Sequence, residues 1–184
     1  MNAMQISERT RWLPDQAIVF DCHNQIMIEA SLRKDRRQQN VMTNHYAPLI
    51  RQGGVNVLDM VVGADDHSLG NLNDDPTYAA FSLIDMLLEE EATSDTFTIC
   101  RSAADIDRAV ADGKIAMLTK LEGGRPIDGM YVGVPKTKIV MQGSKSVEEY
   151  PFLTDALVKH GYSDEDVVKT LGGNLLRLHK RVLG

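Results

Sequence analysis

His23 and Gln25 lie two residues apart in the stretch DCHNQ, directly after the apolar run Ala17-Ile18-Val19-Phe20. Residues i and i+2 of a strand share a face, so both side chains are expected to point at one cation. A His-x-Asp pair there would give a metal one imidazole nitrogen and one negative charge. Gln25 keeps the spacing and loses the charge. The second candidate is Glu122, which precedes Gly123-Gly124 at the end of KIAMLTKLEGG, the strand-end position where barrel enzymes place catalytic groups. A catalytic zinc needs about three protein ligands and one open position. His23 and Glu122 supply two, with Gln25 as a neutral third. Each residue also has a plainer reading: His23 as a strand-end remnant, Glu122 as a rim carboxylate that caps a helix or pairs with Arg125.

The other polar groups carry less. Asp65, Asp66 and His67 fall in DDHSLGNLNDDP, and residues of these types favour solvated turns on their own account. His45, His160 and His179 fall on expected helices or their edges. Cys22 and Cys100 each end an expected strand and form no CxxC, which favours two reduced thiols over a disulfide framework. No GxGxxG or P-loop is present.

The elements that must position these residues follow from apolar periodicity. Residues 17–23 are apolar and partly β-branched, as a buried parallel strand requires. A polar stretch from residue 29 leads into a helix that stops at Gly53-Gly54, and residues 55–64 form a second strand. Residues 77–91 place Tyr78, Phe81, Ile84, Leu87 and Leu88 at helical spacing, with Pro76 in the first turn. TFTIC is a short third strand, SAADIDRAVADG a Ser-capped helix, and KIAMLTKLEGG the fourth strand. The alternation of strands and helices predicts parallel βα units and the α/β class. Residues 125–144 carry two prolines and three glycines and read as an irregular connection with one weak strand. Helices follow over 147–160 and 163–171, the second opened by a Ser163/Asp166 capping box, and LLRLHKRVL is the last helix.

The 184 residues, 43% apolar and 25% charged, suit one ordinary domain: βα units over 17–124, an irregular connection over 125–145, and C-terminal helices over 146–183. A net charge of −6 with scattered Lys and Arg offers no basic face to a phosphate backbone, so no nucleic-acid partner is expected. No segment reaches the ~20 apolar residues needed to span a bilayer. The first residues also lack the apolar core of a signal peptide. The expected location is therefore the cytoplasm, without membrane insertion.

Four segments, in order, resemble the membrane (renal) dipeptidase family of metal-dependent peptidases, of the amidohydrolase-like barrel class. DCHNQ is similar to the Asp-Gly-His-Asn-Asp that ends its first strand. IRQGGVNVLDMVV resembles its second strand, and DIDRAVADGKIAMLTKLEGG its Glu-Gly-Gly segment. The longest match is SVEEYPFLTDALVKHGYSDEDVVKTLGGNLLRLHKRVL, which resembles the C-terminal helices almost throughout.

The resemblance implies a (β/α) barrel, hydrolysis of dipeptides, and zinc held by a His-x-Asp, a bridging Glu and two later histidines. A complete barrel needs roughly 250 residues, so a chain in which Glu122-Gly123-Gly124 runs straight into RPIDGM looks internally deleted. Beyond Glu122 only His160 and His179 occur, both on expected helices, and neither matches the later ligands. By resemblance the metal ligands are His23 and Glu122, a vestigial pair with Gln25 in place of Asp. Asp128 is a weak match to a substrate-binding turn. The expected cofactor is zinc in one weak site, or none.

The expectation is a partial barrel-like parallel sheet of about four strands, with a dipeptide-like ligand if the chain is active and turnover impaired or lost. The alternative is a non-catalytic α/β domain that oligomerises or binds a small molecule. An unclosed sheet leaves open edges and exposes a face meant for a barrel interior. Cover by residues 125–144 or by a second copy, as a homodimer, is expected.

Overall fold

The computed structural model describes residues 7–35, 38–64, 75–122 and 147–182. Strands β1 (Phe20–Asn24), β2 (Val57–Ala64), β3 (Phe97–Ile99) and β4 (Ile115–Glu122) form one parallel sheet in the order β1-β2-β4-β3. Helices α1 (Glu8–Asp15) and α2 (Ile26–Asp35) flank β1. A π-helical turn, Met42–Tyr46, leads into α3 (Ala47–Gln52), and α4 (Pro76–Thr93) and α5 (Ala103–Ala111) flank β3 in sequence. After a 3-10 turn at Val147–Glu149 come α6 (Tyr150–Lys159) and α7 (Asp164–Val168). A second π-helical turn, Lys169–Gly173, then leads into α8 (Asn174–Val182). The expected class of four parallel strands, flanking helices and a helical C-terminus is the architecture observed.

Strand order distributes the helices. The chain passes from β2 over β4 to the sheet edge at β3, then returns to β4. Because parallel crossovers are right-handed, reversing direction puts the connecting helices on opposite faces. Met27 and Ala30 of α2, Ile50 of α3, and Leu83, Met86 and Leu87 of α4 pack with Leu58, Met60, Val62 and Met117 on one face. Ile106 and Ala109 of α5 pack with Phe20, Val57, Ala116 and Leu118 on the other, beside Leu175 and Leu176 of α8. The face expected to stand exposed is therefore covered by α5 and α8 of the same chain. One of the two covers expected for the open edges, residues 125–144, lies outside the described residues.

Two helices were not expected. α1 is opened by Ser7, whose hydroxyl accepts from the Thr10 amide at 3.1 Å, and it is tied down by distant partners. Arg9 pairs with Asp164, and buried Thr10 donates to Asp155 Oδ1 at 3.2 Å. α2 begins directly after β1, where a polar connection was expected. Asn24 Oδ1 accepts the Ile26 amide at 2.9 Å, which starts the helix as an Asx turn does. The other expected helices are present, α4 with Asp75 as its N-cap and α5 with the Ser102/Asp105 capping box.

Gly53, where α3 stops as expected, and Gly172 share a further role. A Cβ on Gly172 would lie 1.9 Å from the Ile18 carbonyl oxygen, and one on Gly53 would lie 2.0 Å from that of Val147. Both mark places where two backbones touch, and Gly172 is where the C-terminal helices meet the entry to β1.

Candidate functional site

His23, Gln25 and Glu122 come together at the carboxyl end of the sheet. His23 lies in an irregular part of β1, between Asp21 and Asn24, where the register with β2 shifts. Gln25 lies past the last strand residue. The two side chains therefore do not meet by sharing a strand face, as the i, i+2 spacing predicts, but by the shift and the turn into α2. Glu122 ends β4, two strands away, and pairs with Ala64 of β2. The β2 residue before Ala64 is Gly63, which has no side chain to stand between β1 and β4.

All three groups converge on one oxygen. Gln25 Nε2 donates to Glu122 Oε2 at 3.0 Å, and His23 Nε2 lies 3.5 Å from that oxygen and 3.5 Å from Gln25 Nε2. A carboxylate only accepts, so the amide must present its NH₂ group here. For a cation to be held, the amide would have to turn its oxygen inward. The pair is partly open to solvent, with side-chain exposures of 47% for His23 and 35% for Glu122, and an ion pair so placed contributes little to stability.

Among the described residues no cluster of three or more His, Cys, Asp or Glu is placed to hold a metal. His23 and Glu122 fall short of the three protein ligands of a catalytic zinc, and Gln25 offers a donor. The described residues by themselves do not fit that ion.

Around this trio the strand end is held by hydrogen bonds. Asp21 accepts the His23 amide at 3.2 Å and Asn24 Nδ2 at 2.8 Å. Tyr150, at the start of α6, bonds to Asp21, and its hydroxyl is pushed up, first by burial and then by the charge of Asp21. Lys120, two residues before Glu122, is the group that reading from the sequence missed. Its ammonium donates to the Cys22 carbonyl and to Asp59 Oδ2, the latter at 3.1 Å, and so ties β4 to both β1 and β2. The signal was present as the one charged residue inside the apolar run of IAMLTKLE.

The remaining candidates separate from the site. His179 of α8 gives its Nδ1 hydrogen to Leu175 O at 2.9 Å and lies against Phe20, ring centroids 5.0 Å apart. His45 lies edge-on to Tyr46, and His160 follows the end of α6. Both cysteines are free, Cys22 exposed and Cys100 buried. Burial, then the nearby Asp105, pushes the Cys100 thiol up to about 11. Asp65, Asp66, His67, Arg125 and Asp128 lie outside the described residues.

Two solved metallopeptidases are similar to this chain. One is a metallopeptidase from Rhodobacter sphaeroides, liganded with a phosphinate mimic of the dipeptide L-Ala-D-Ala. It is 18% identical at a TM-score of 0.47, over 60% of this chain and 39% of that one. The other is dipeptidase AC, a metallopeptidase of family M19, 19% identical at a TM-score of 0.46, over 60% of this chain and 36% of that one. The chain thus spans under two-fifths of either. No family model and no curated protein matches it.

Proposed function

We propose that this is a membrane dipeptidase-like protein in which metal-dependent hydrolysis of dipeptides is impaired or lost, and that His23 and Glu122 are the remains of its metal site. The observation that carries this reading is the hydrogen bond from Gln25 Nε2 to Glu122 Oε2 at 3.0 Å. A carboxylate at position 25 would repel Glu122 unless a cation lay between them, whereas an amide satisfies Glu122 directly. The strand-end geometry is kept, and the charge that would call for a dication is gone.

The sequence motifs at both ends of the chain supply the family part of the reading. A residual affinity for one zinc ion is compatible with it, as is a dipeptide-like ligand. We take the chain to act as one domain in the cytoplasm and as a homo-oligomer. Asp128 is kept as a weak substrate-binding candidate on the sequence resemblance alone. The second reading, a non-catalytic small-molecule-binding α/β domain, is favoured by a separate cavity lined by Lys120 and Arg101.

The decisive experiment is metal analysis of the purified chain together with a dipeptide hydrolysis assay in added zinc. One weakly held ion or none, without turnover, is expected. Two tightly held zinc ions, with turnover abolished by His23→Ala, would overturn the reading.

A further inference from the structure

The face of the sheet covered by α5 and α8 retains a cavity of about 480 Å³ alongside β2 and β4, past the end of the shorter β3. Asp59, Arg101, Leu118, Lys120, Leu178 and His179 line it, and neither His23 nor Glu122 does. Its size lies within the range of small-molecule sites.

Its charge runs against that of the chain. The whole protein carries −6, yet among the described residues on this wall Lys120 and Arg101 outnumber the single carboxylate, Asp59. Asp59 is already paired with Lys120 at 3.1 Å. Among the described residues the Lys120 ammonium spends two of its three hydrogens on Asp59 and the Cys22 carbonyl, which leaves one donor toward them. The Arg101 guanidinium has no ion-pair partner among the described residues and lies exposed at the start of the β3 to α5 connection. Opposite these donors the surface is apolar. Leu118 lies on the sheet, and Leu178 and Val182 project from α8 with 52% and 72% of their surface exposed.

We propose that this cavity binds a small aliphatic carboxylate, with its head group on Arg101 and Lys120 and its chain against Leu118, Leu178 and Val182. A planar guanidinium and a spare ammonium hydrogen match the two oxygens of one carboxylate. The apolar wall takes the alkyl chain out of water. Among the described lining residues a cationic ligand finds only Asp59, whose charge Lys120 already offsets. This inference does not rest on the reading of His23 and Glu122.

The test is a titration of the isotope-labelled full chain with hexanoate, hexan-1-ol and hexylamine, followed by amide chemical shifts. Hexanoate should move the amides of residues 100–101, 118–120 and 178–182 saturably. Hexan-1-ol and hexylamine should bind at least about tenfold more weakly. Arg101→Gln, at an exposed position where folding is not at risk, should weaken hexanoate about tenfold and leave hexan-1-ol unchanged. His23→Ala should change neither. Equal binding of hexan-1-ol, preference for hexylamine, hexanoate affinity unmoved by Arg101→Gln, or no saturation at all would each overturn the proposal.

Discussion

Replacing Gly172 by Ala places one methyl group where the C-terminal helices touch the strand that carries His23. The added Cβ would lie 1.9 Å from the Ile18 carbonyl oxygen and 3.0 Å from both the amide nitrogen and the Cβ of Phe20. Ordinary contact at such a pair begins near 3.4 Å, so one backbone must retreat from the other by more than an ångström. The φ of Gly172, 172°, lies outside the left-handed region, so the effect expected is steric.

Forcing extra bulk into a packed contact costs roughly 1–3 kcal/mol, occasionally more, and the upper end applies because the obstacle is main chain. For a chain of this size that is a fall in Tm of about 2–4 °C per kcal/mol. Urea unfolding should show a lower midpoint at unchanged m. The Phe20 and His179 signals should shift, since the two rings lie against each other, tilted by 35°, beside this contact. Gly113→Ala is the matched control. With φ +69° and nothing within 4 Å of its Cβ, it pays only the left-handed backbone penalty of about 1–2 kcal/mol and should leave the Phe20 and His179 signals in place. Gly172→Ala at wild-type stability would refute the close approach of Gly172 to β1.

Three further outcomes follow from named groups. Gln25→Asp should bind added zinc or cobalt about tenfold or more tighter than the wild type by calorimetry, because it sets a second carboxylate against Glu122; unchanged affinity would show that positions 23, 25 and 122 do not share a site. Asp155 is held below the usual carboxylate range chiefly by its hydrogen bond from Lys159, and Asp105 by the backbone amide of Arg101. With native values depressed, their stabilisation is complete above the ordinary carboxylate range and is lost as pH falls through the native values. Acid unfolding midpoints should accordingly shift in Asp155→Asn, and identical pH profiles would contradict the pairing. Alkylation followed by mass spectrometry should label exposed Cys22 in the folded chain at pH 8 and spare Cys100, which is buried with its thiol raised to about 11.

Much of the fold was legible because its signals are local. The strands β2, β3 and β4, the helix α4 behind Pro76 and the capped helices α5 and α7 all announce themselves through apolar runs, prolines and Ser caps within a few residues. α1 and α2 did not. α1 is short, carries a proline, and depends on partners some 145 and 155 residues away, through Thr10 to Asp155 and Arg9 to Asp164. α2 starts on an Asn24 side chain that pattern alone assigns to the strand. The convergence of His23 and Glu122 was anticipated by their strand-end positions, whereas Lys120 was not, because its partners Asp59 and the Cys22 carbonyl lie on two other strands.

By itself the sequence determined the α/β class, the parallel βα units, and the lack of charge at position 25, since residue type alone decides whether a charge is present. Tertiary structure alone decided the order β1-β2-β4-β3. Apolar strands buried on both faces carry no mark of which neighbour they take, and one reversal of direction moves α5 to the opposite face under the right-handed crossover rule. That reversal covers the face a barrel would turn inward, and it sets Lys120 and Arg101 around a cavity that no spacing of residues foretells.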